Sequence, residues 1–259
     1  TTYLPKIEDP TRRPDEKRCR LLAQMHKAVS VIQFKLECAA YHAHPEWNML
    51  DRALLEHIDF ATGECLIGDR RYALCDTDFP TVDPQHPAML TQGEEELMRS
   101  LCHSFRIIQH LQQHVEQLLQ HGSIYGIYNS NLLFHASVPM NADGTFRSVH
   151  FADEQLAGRE LLDRIEQIVR QAYDPEAETE RREWARDFFW YLWCGPNSPF
   201  FDKSKMATFE RYLIADKETH REEKGAYYTL RNDAAVCDMI MDSFGVRGKH
   251  RHIINGHVP

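Results

Sequence analysis

Leu21, Met25, Val29, Ile32 and Leu36 recur at steps of three and four. That is the stripe of an amphipathic helix, and it predicts one from about Asp15 to Tyr41. A second helical stretch is expected around Asn48 to Ile58. Gly63 to Leu74 reads as a hairpin turning at Gly68-Asp69. Thr91 with Glu94 three residues on forms a capping box. The helix it opens carries Leu97, Leu101, Phe105, Ile108, Leu111, Val115 and Leu118 on one face and stops near Gly122. Strands "SIYGIY" and "NLLFH" follow, joined through Asn129-Ser130. "NADG" (Asn141 to Gly144) is a turn leading to a strand near Thr145 to Phe151. Helices are expected over Leu156 to Tyr173, from about Glu178 to Trp193, and around Ala234 to Phe244, with a strand, "IIN", at the end. The pattern is α+β: a mainly helical region over residues 1–120, then strands and helices mixed over 121–259.

Composition narrows the classes. The 259 residues can bury a sizeable core. A net charge of −9 argues against a general nucleic-acid or anionic-membrane binder. No apolar run reaches the roughly 18 residues of a membrane helix. The opening stretch has no signal-peptide core. Seven cysteines without a CxxC pair read as reduced thiols of a cytoplasmic protein.

Fifteen histidines are the unusual figure. His135 closes the strand "NLLFH", and His257 follows the strand and turn "IING". A histidine just past a buried strand is held rigidly, as a metal ligand must be; on spacing alone, an imidazole satisfied by a carbonyl is the plainer reading. His110 and His114 share a helix face, but no glutamate stands between them, and a solvated face fits better. His250 and His252 read as a polar loop, and Cys194 as a packed thiol. The stretch Asp202 to Asp233 mixes Lys203, Lys205, Arg211, Lys217, Arg221, Lys224 and Arg231 with Tyr212, Tyr227 and Tyr228. Such donors bind phosphate oxygens, and an ordinary amphipathic helix with paired surface charges competes.

"VIQFKLE", "DTDFPTVDPQHP", "YNSNLLFHASVPMNADGTF", "WYLWCGPNSPFFDKSKMATFERYLIADKETHREEKGAYYTLRND" and "HIINGHVP" together resemble the bacterial class III fructose-1,6-bisphosphatases. The resemblance runs from about Asp15 to the last residue. It implies a calcineurin-like metallophosphatase fold, an αββα sandwich, of which residues 121–259 would form part of the C-terminal half. It also implies hydrolysis of the 1-phosphate of fructose 1,6-bisphosphate, a gluconeogenic reaction, at a two-metal site. The resemblance assigns His135 and His257 as metal ligands. Ala136-Ser137 replaces the Gly-Gly that follows the first histidine elsewhere in the superfamily. Manganese is the expected ion, with magnesium as the alternative. Arg231 falls near a phosphate-binding arginine, with Lys224, Arg211 and Lys205 as further phosphate ligands; no catalytic side chain is assigned.

The "DxH", "GDxxDRG" and "GNH(D/E)" motifs of that superfamily do not occur in this chain. The expectation is an internal fragment, inactive alone. Two competing functions are a phosphatase of another sugar phosphate or a phosphoprotein, and a non-catalytic helical assembly or regulatory module. The helices Asp15–Tyr41 and Glu94–Gln120 fit packing in a homo-oligomer as readily as an internal core.

Overall fold

Glu16 to Ala43 contains neither glycine nor proline, and it forms one uninterrupted helix, α1. The computed structural model describes residues 16–151 and 154–256. These divide into two units: residues up to 106 with 207–221, and residues 107–206 with those from 222 onward.

In the first unit, α1 buries Ile32 of the stripe that marks it in the sequence, but otherwise a different face. Ala23, Val31, Ile32, Phe34, Cys38 and Tyr41 are buried, whereas Leu21, Met25, Val29 and Leu36 are exposed. α1 is apolar on both sides, and the core takes the side bearing the aromatic rings. Phe34 meets Phe209 edge-on at 5.0 Å. Lys35 sits on that side too, fully buried, bonded to Glu94 at 2.7 Å and to the Thr81 carbonyl at 2.6 Å.

The helix expected over 48–58 is replaced by two 3-10 turns, Leu50–Arg52 and Leu54–His57, with a third, Pro45–Trp47, just before them. Asn48 is left-handed (φ 54°) and Ala53 leaves the helical region (ψ 51°), so no turn propagates into the next. Strands β1 (Ile58–Asp59), β2 (Glu64–Ile67) and β3 (Arg70–Ala73) form an antiparallel sheet. Its second hairpin turns as expected at Gly68, whose φ of +62° suits a residue without a Cβ. A short helix lies within 207–221; its Glu210 is fully buried and grips Arg52 through two bonds of 2.8 and 2.9 Å.

The capping box forms. Thr91 N–H donates to Glu94 at 2.8 Å, and Glu94 N–H to Thr91 Oγ1 at 3.4 Å. The single helix expected beyond it is two, α2 (Gln92–Ile107) and α3 (Gln109–His121), because Ile108 is extended (ψ 102°). Leu97, Leu101, Phe105, Ile108 and Leu118 of the expected apolar stripe are exposed.

The second unit is built on a three-stranded mixed sheet. β4 (Tyr125–Tyr128) and β5 (Asn131–Phe134) form a hairpin whose turn, Asn129-Ser130, is left-handed at both residues (φ 48° and 64°). The last strand, β8 (His252–Asn255), runs parallel to β5, pairing Asn131 with His252 and Phe134 with Asn255. Parallel neighbours need a long crossover. Here it carries the small hairpin β6 (Val149–Phe151) and β7 (Glu154–Leu156), then α4 (Gly158–Gln171) and α5 (Thr179–Cys194). Leu156 therefore lies in a strand rather than opening α4, and the strand expected from Thr145 begins at Val149. Leu161, Leu162, Ile165, Ile168, Ala185 and Phe188 fill the core.

α6 (Thr208–Leu213) is the short helix of the first unit; α7 (Tyr227–Leu230) and α8 (Ala234–Ser243) complete the second. Asp233 caps α8, accepting from the amides of Ala235 and Val236. Residues 202–233 are thus mostly loop with two short helices, not one amphipathic helix. Among the described residues, no helix is long and apolar enough to cross a membrane.

Candidate active site

β5 and β8 end together. The Gly256 amide donates to the His135 carbonyl at 2.9 Å, one residue beyond the last paired positions. Asn255 reinforces the junction, its Nδ2 donating to the Ala136 carbonyl at 2.6 Å. Its Oδ1 accepts from the Tyr227 hydroxyl at 3.2 Å. Tyr227 is buried against Phe134, ring centres 5.8 Å apart. Burial raises the Tyr227 pKa, so the hydroxyl stays a donor.

These strand ends floor an open basin of about 710 Å³, lined by Leu133, His135, Phe200, Ile254, Asn255 and Gly256. His135 is exposed there and stacks on Phe200, ring centres 5.2 Å apart. His257, the other expected metal ligand, lies outside the described residues. Among the described residues, no three His, Cys, Asp or Glu side chains converge as metal ligands. His135 is the expected metal ligand that lies among the described residues. A larger recess of about 800 Å³ near Arg170 and Arg181 shares no lining residue with this basin and holds no histidine or cysteine.

Two of the four expected phosphate ligands come together. Lys224 Nζ lies 5.6 Å and the Arg231 guanidinium 5.7 Å from the centre of the same ring, Tyr228. Both residues are exposed. Lys205 lies on the neighbouring loop, which is clasped to this segment: Ser204 N–H donates to the Glu223 carbonyl at 2.8 Å, and Lys203 pairs with Glu222 at 2.9 Å. Arg211 belongs to the other unit, on α6, where it donates to the His220 carbonyl.

Three more polar side chains border these residues: Ser137 follows His135 by two positions, and Asp202 and Tyr228 belong to the basic stretch. Asp202 and Ser137 are buried, and Tyr228 is half-buried; Asp202 Oδ2, Ser137 Oγ and the Tyr228 hydroxyl are themselves sealed from solvent. Burial pushes the Asp202 carboxyl up to about 6, against the Ser137 hydroxyl and the Arg147 guanidinium, which pull it down. Although Ser137 is close enough to act on the carboxyl, neither Ser137 Oγ nor Asp202 Oδ2 completes a hydrogen bond of normal geometry. Burial, and then the Asp202 charge, lift the Tyr228 hydroxyl to about 12.

The other histidines and the cysteine are structural or solvated. His110 and His114 lie on the exposed face of α3. His252 is in β8, its Nδ1 3.1 Å from Asn131 Oδ1, rather than in a loop. Cys194 is buried, its thiol against the Trp190 carbonyl at 3.2 Å. All seven cysteines are free thiols.

The whole chain, residues 1–259, matches the family model described as Firmicute fructose-1,6-bisphosphatase. It is 52% identical over 257 residues to a fructose-1,6-bisphosphatase class 3 of Parabacteroides distasonis, covering 99% of this chain and 39% of that protein. It is 49% identical over 259 residues to the protein of that name from Bacteroides fragilis, covering 100% of this chain and 39% of the relative. The Clostridium botulinum protein of that name is 44% identical over 245 residues, 95% of this chain and 37% of the relative. The chain thus spans about two fifths of the length of these curated relatives. No solved structure matches it. By the match of the family model along its full length, this chain belongs to the Firmicute fructose-1,6-bisphosphatase family.

Proposed function

We propose that this chain is part of a metal-dependent fructose-1,6-bisphosphatase that removes the 1-phosphate of fructose 1,6-bisphosphate in gluconeogenesis. The observation that carries this reading is the pairing of Lys224 and Arg231 on one aromatic ring, within the stretch resembling that family most closely. Two cations beside one ring suit a phosphate dianion, and a guanidinium binds it through two parallel N–H bonds. They would grip the bisphosphate and offset charge developing on the transferred phosphoryl group. Lys205 and Arg211 are the further phosphate ligands of the proposal.

His135 and His257 would be ligands to a divalent ion, manganese or else magnesium, both of which suit mixed imidazole, carboxylate and water sites. A pair of such ions supplies an activated water and a clamp on the phosphoryl oxygens. With one histidine among the described residues and one beyond them, this chain alone would bind such an ion weakly and turn over no substrate. The open face of the β4–β5–β8 sheet, where Tyr128, Leu133 and Ile254 are exposed, supports a calcineurin-like sandwich in which further layers cover it. The free thiols suit a cytoplasmic setting.

Phosphate release by the full-length protein with manganese, across fructose 1,6-bisphosphate, other sugar phosphates and a phosphopeptide, tests the assignment. Preferential release from fructose 1,6-bisphosphate is expected; preference for another member of the panel overturns it.

A second reading, as an assembly module, draws on the exposed faces of α1 and α2. Leu21, Met25 and Val29, and Leu97 and Leu101, present exposed apolar side chains along their helices. Sedimentation of the chain should show association that Met25→Glu with Val29→Lys abolishes; a monomer at all concentrations removes this reading.

A further inference from the structure

Ser137, Asp202 and Tyr228 lie on three separate stretches of the second unit, and each buries an oxygen that completes no hydrogen bond of normal geometry. Asp202 stands where those stretches join. Its backbone is left-handed (φ 45°), a conformation that residues with a Cβ adopt only when their surroundings impose it. Its amide donates to the Ser198 carbonyl, and its carbonyl accepts from Gly225 N–H, both at 2.8 Å. A Cβ on Gly225 would fall 2.0 Å from Asp202 Oδ1, so the position is a glycine because its backbone lies directly against the carboxyl group. On the other side, Ser137 N–H donates to the Pro199 carbonyl at 3.0 Å, and its hydroxyl faces Asp202.

We propose that Asp202 is a positioning residue that fixes the segment 222–231 against the strand end after β5, acting through Ser137 on one side and Gly225 and Tyr228 on the other. The first of these stretches carries His135 and the second carries Lys224 and Arg231, so the separation of the histidine from the two cations is set at Asp202. A residue serving only to fill space there would be apolar, since a buried carboxyl whose oxygen goes unmatched is less stable than a hydrocarbon of the same shape. The Asp202 carboxyl lies close to the Ser137 hydroxyl and acts through its charge on the Tyr228 hydroxyl, so the three stretches meet at one buried polar junction. The backbone bonds of Asp202 to Ser198 and Gly225, with the close approach of Gly225 to the carboxyl, hold that junction in one register. The inference rests on the proposed function only for what the two cations bind.

The test uses the full-length protein and two variants, Asp202→Asn and Gly225→Ala. The first keeps the shape and removes the charge; the second pushes the segment off the carboxyl. Amide hydrogen exchange should quicken at least tenfold in both 135–138 and 222–231, with α4 and α5 unchanged. KM for fructose 1,6-bisphosphate should rise at least fivefold while kcat changes less than twofold. Tyr228→Phe added to Asp202→Asn should raise KM no further. Unchanged exchange in either segment, or uniform quickening through the second unit, overturns the proposal, the latter by showing a role in stability alone. Wild-type protein that releases no phosphate from fructose 1,6-bisphosphate refutes the functional reading, and the exchange pattern still decides this one.

Discussion

Asn255 Nδ2 donates to the Ala136 carbonyl at 2.6 Å, tying the end of β8 to the end of β5 beyond the last rung of the ladder. Its other amide atom accepts from buried Tyr227. Asn255→Ala would leave a carbonyl and a phenol unmatched at once. An unfolding free energy lower by about 1–3 kcal/mol is expected, read from urea titration with an unchanged slope. Asn255→Asp, which sets a carboxylate oxygen against the Ala136 carbonyl, should cost at least as much.

The Arg52–Glu210 pair calls for a different experiment. Glu210 is fully buried, and both of its oxygens are met by the guanidinium. Arg52→Ala strands a buried carboxylate and should cost about 3–5 kcal/mol in equilibrium unfolding. Arg52→Met combined with Glu210→Leu removes both charges and should restore most of the loss.

Glu37 gives the first unit a pH dependence of definite sign. Burial raises its pKa to about 7, opposed by its bond from Gln33 and by the Arg52 charge and reinforced by Glu210. Between the ordinary carboxylate range and pH 7, the folded chain holds a proton that the unfolded chain releases. This contribution is therefore full below about pH 4.5 and is lost as pH rises through 7. Glu37→Gln should match the wild type at pH 4.5 and exceed it at pH 8 by about 1–2 kcal/mol, discounted for the partial exposure of the carboxyl. Chemical denaturation at the two pH values checks the difference.

If Lys224 and Arg231 grip phosphate, each substitution by alanine should weaken substrate binding by about 1.5–3 kcal/mol, the range for hydrogen bonds to charged groups. KM for fructose 1,6-bisphosphate in the full-length protein should rise accordingly. Arg231→Lys should recover only part of the loss, because an ammonium cannot form the two-pronged contact. His135→Ala should instead raise the manganese concentration needed for half-maximal rate.

How far these features can be read from the sequence depends on whether a local pattern encodes them. The β4–β5 hairpin is legible because Asn129-Ser130 supplies the two left-handed positions between apolar runs. The break at Ile108 is not, since the apolar stripe runs straight across it. α1 shows why a stripe is not a core: two faces carry apolar side chains, and the one chosen includes a lysine whose cost is offset by Glu94, 59 residues away. The expected helix over 48–58 fails on two backbone angles, at Asn48 and Ala53, which no periodicity marks. At the candidate site, His135 and the cations are visible as residue types in a basic or strand-end setting. Asp202 and Gly225 are not, because their meaning lies in a contact across a loop reversal.

The parallel pairing of β5 with β8 also dictates when the rim can exist during folding. β4 and β5 close through two residues, an event of about 1–10 μs. Asn131 and His252 are 121 residues apart in sequence, so their pairing waits until the intervening helices have shortened the path between them. Until then the free edge of β5 is a template for any extended segment that reaches it. Conditions that slow the arrival of β8 should therefore favour misassembly through that open edge.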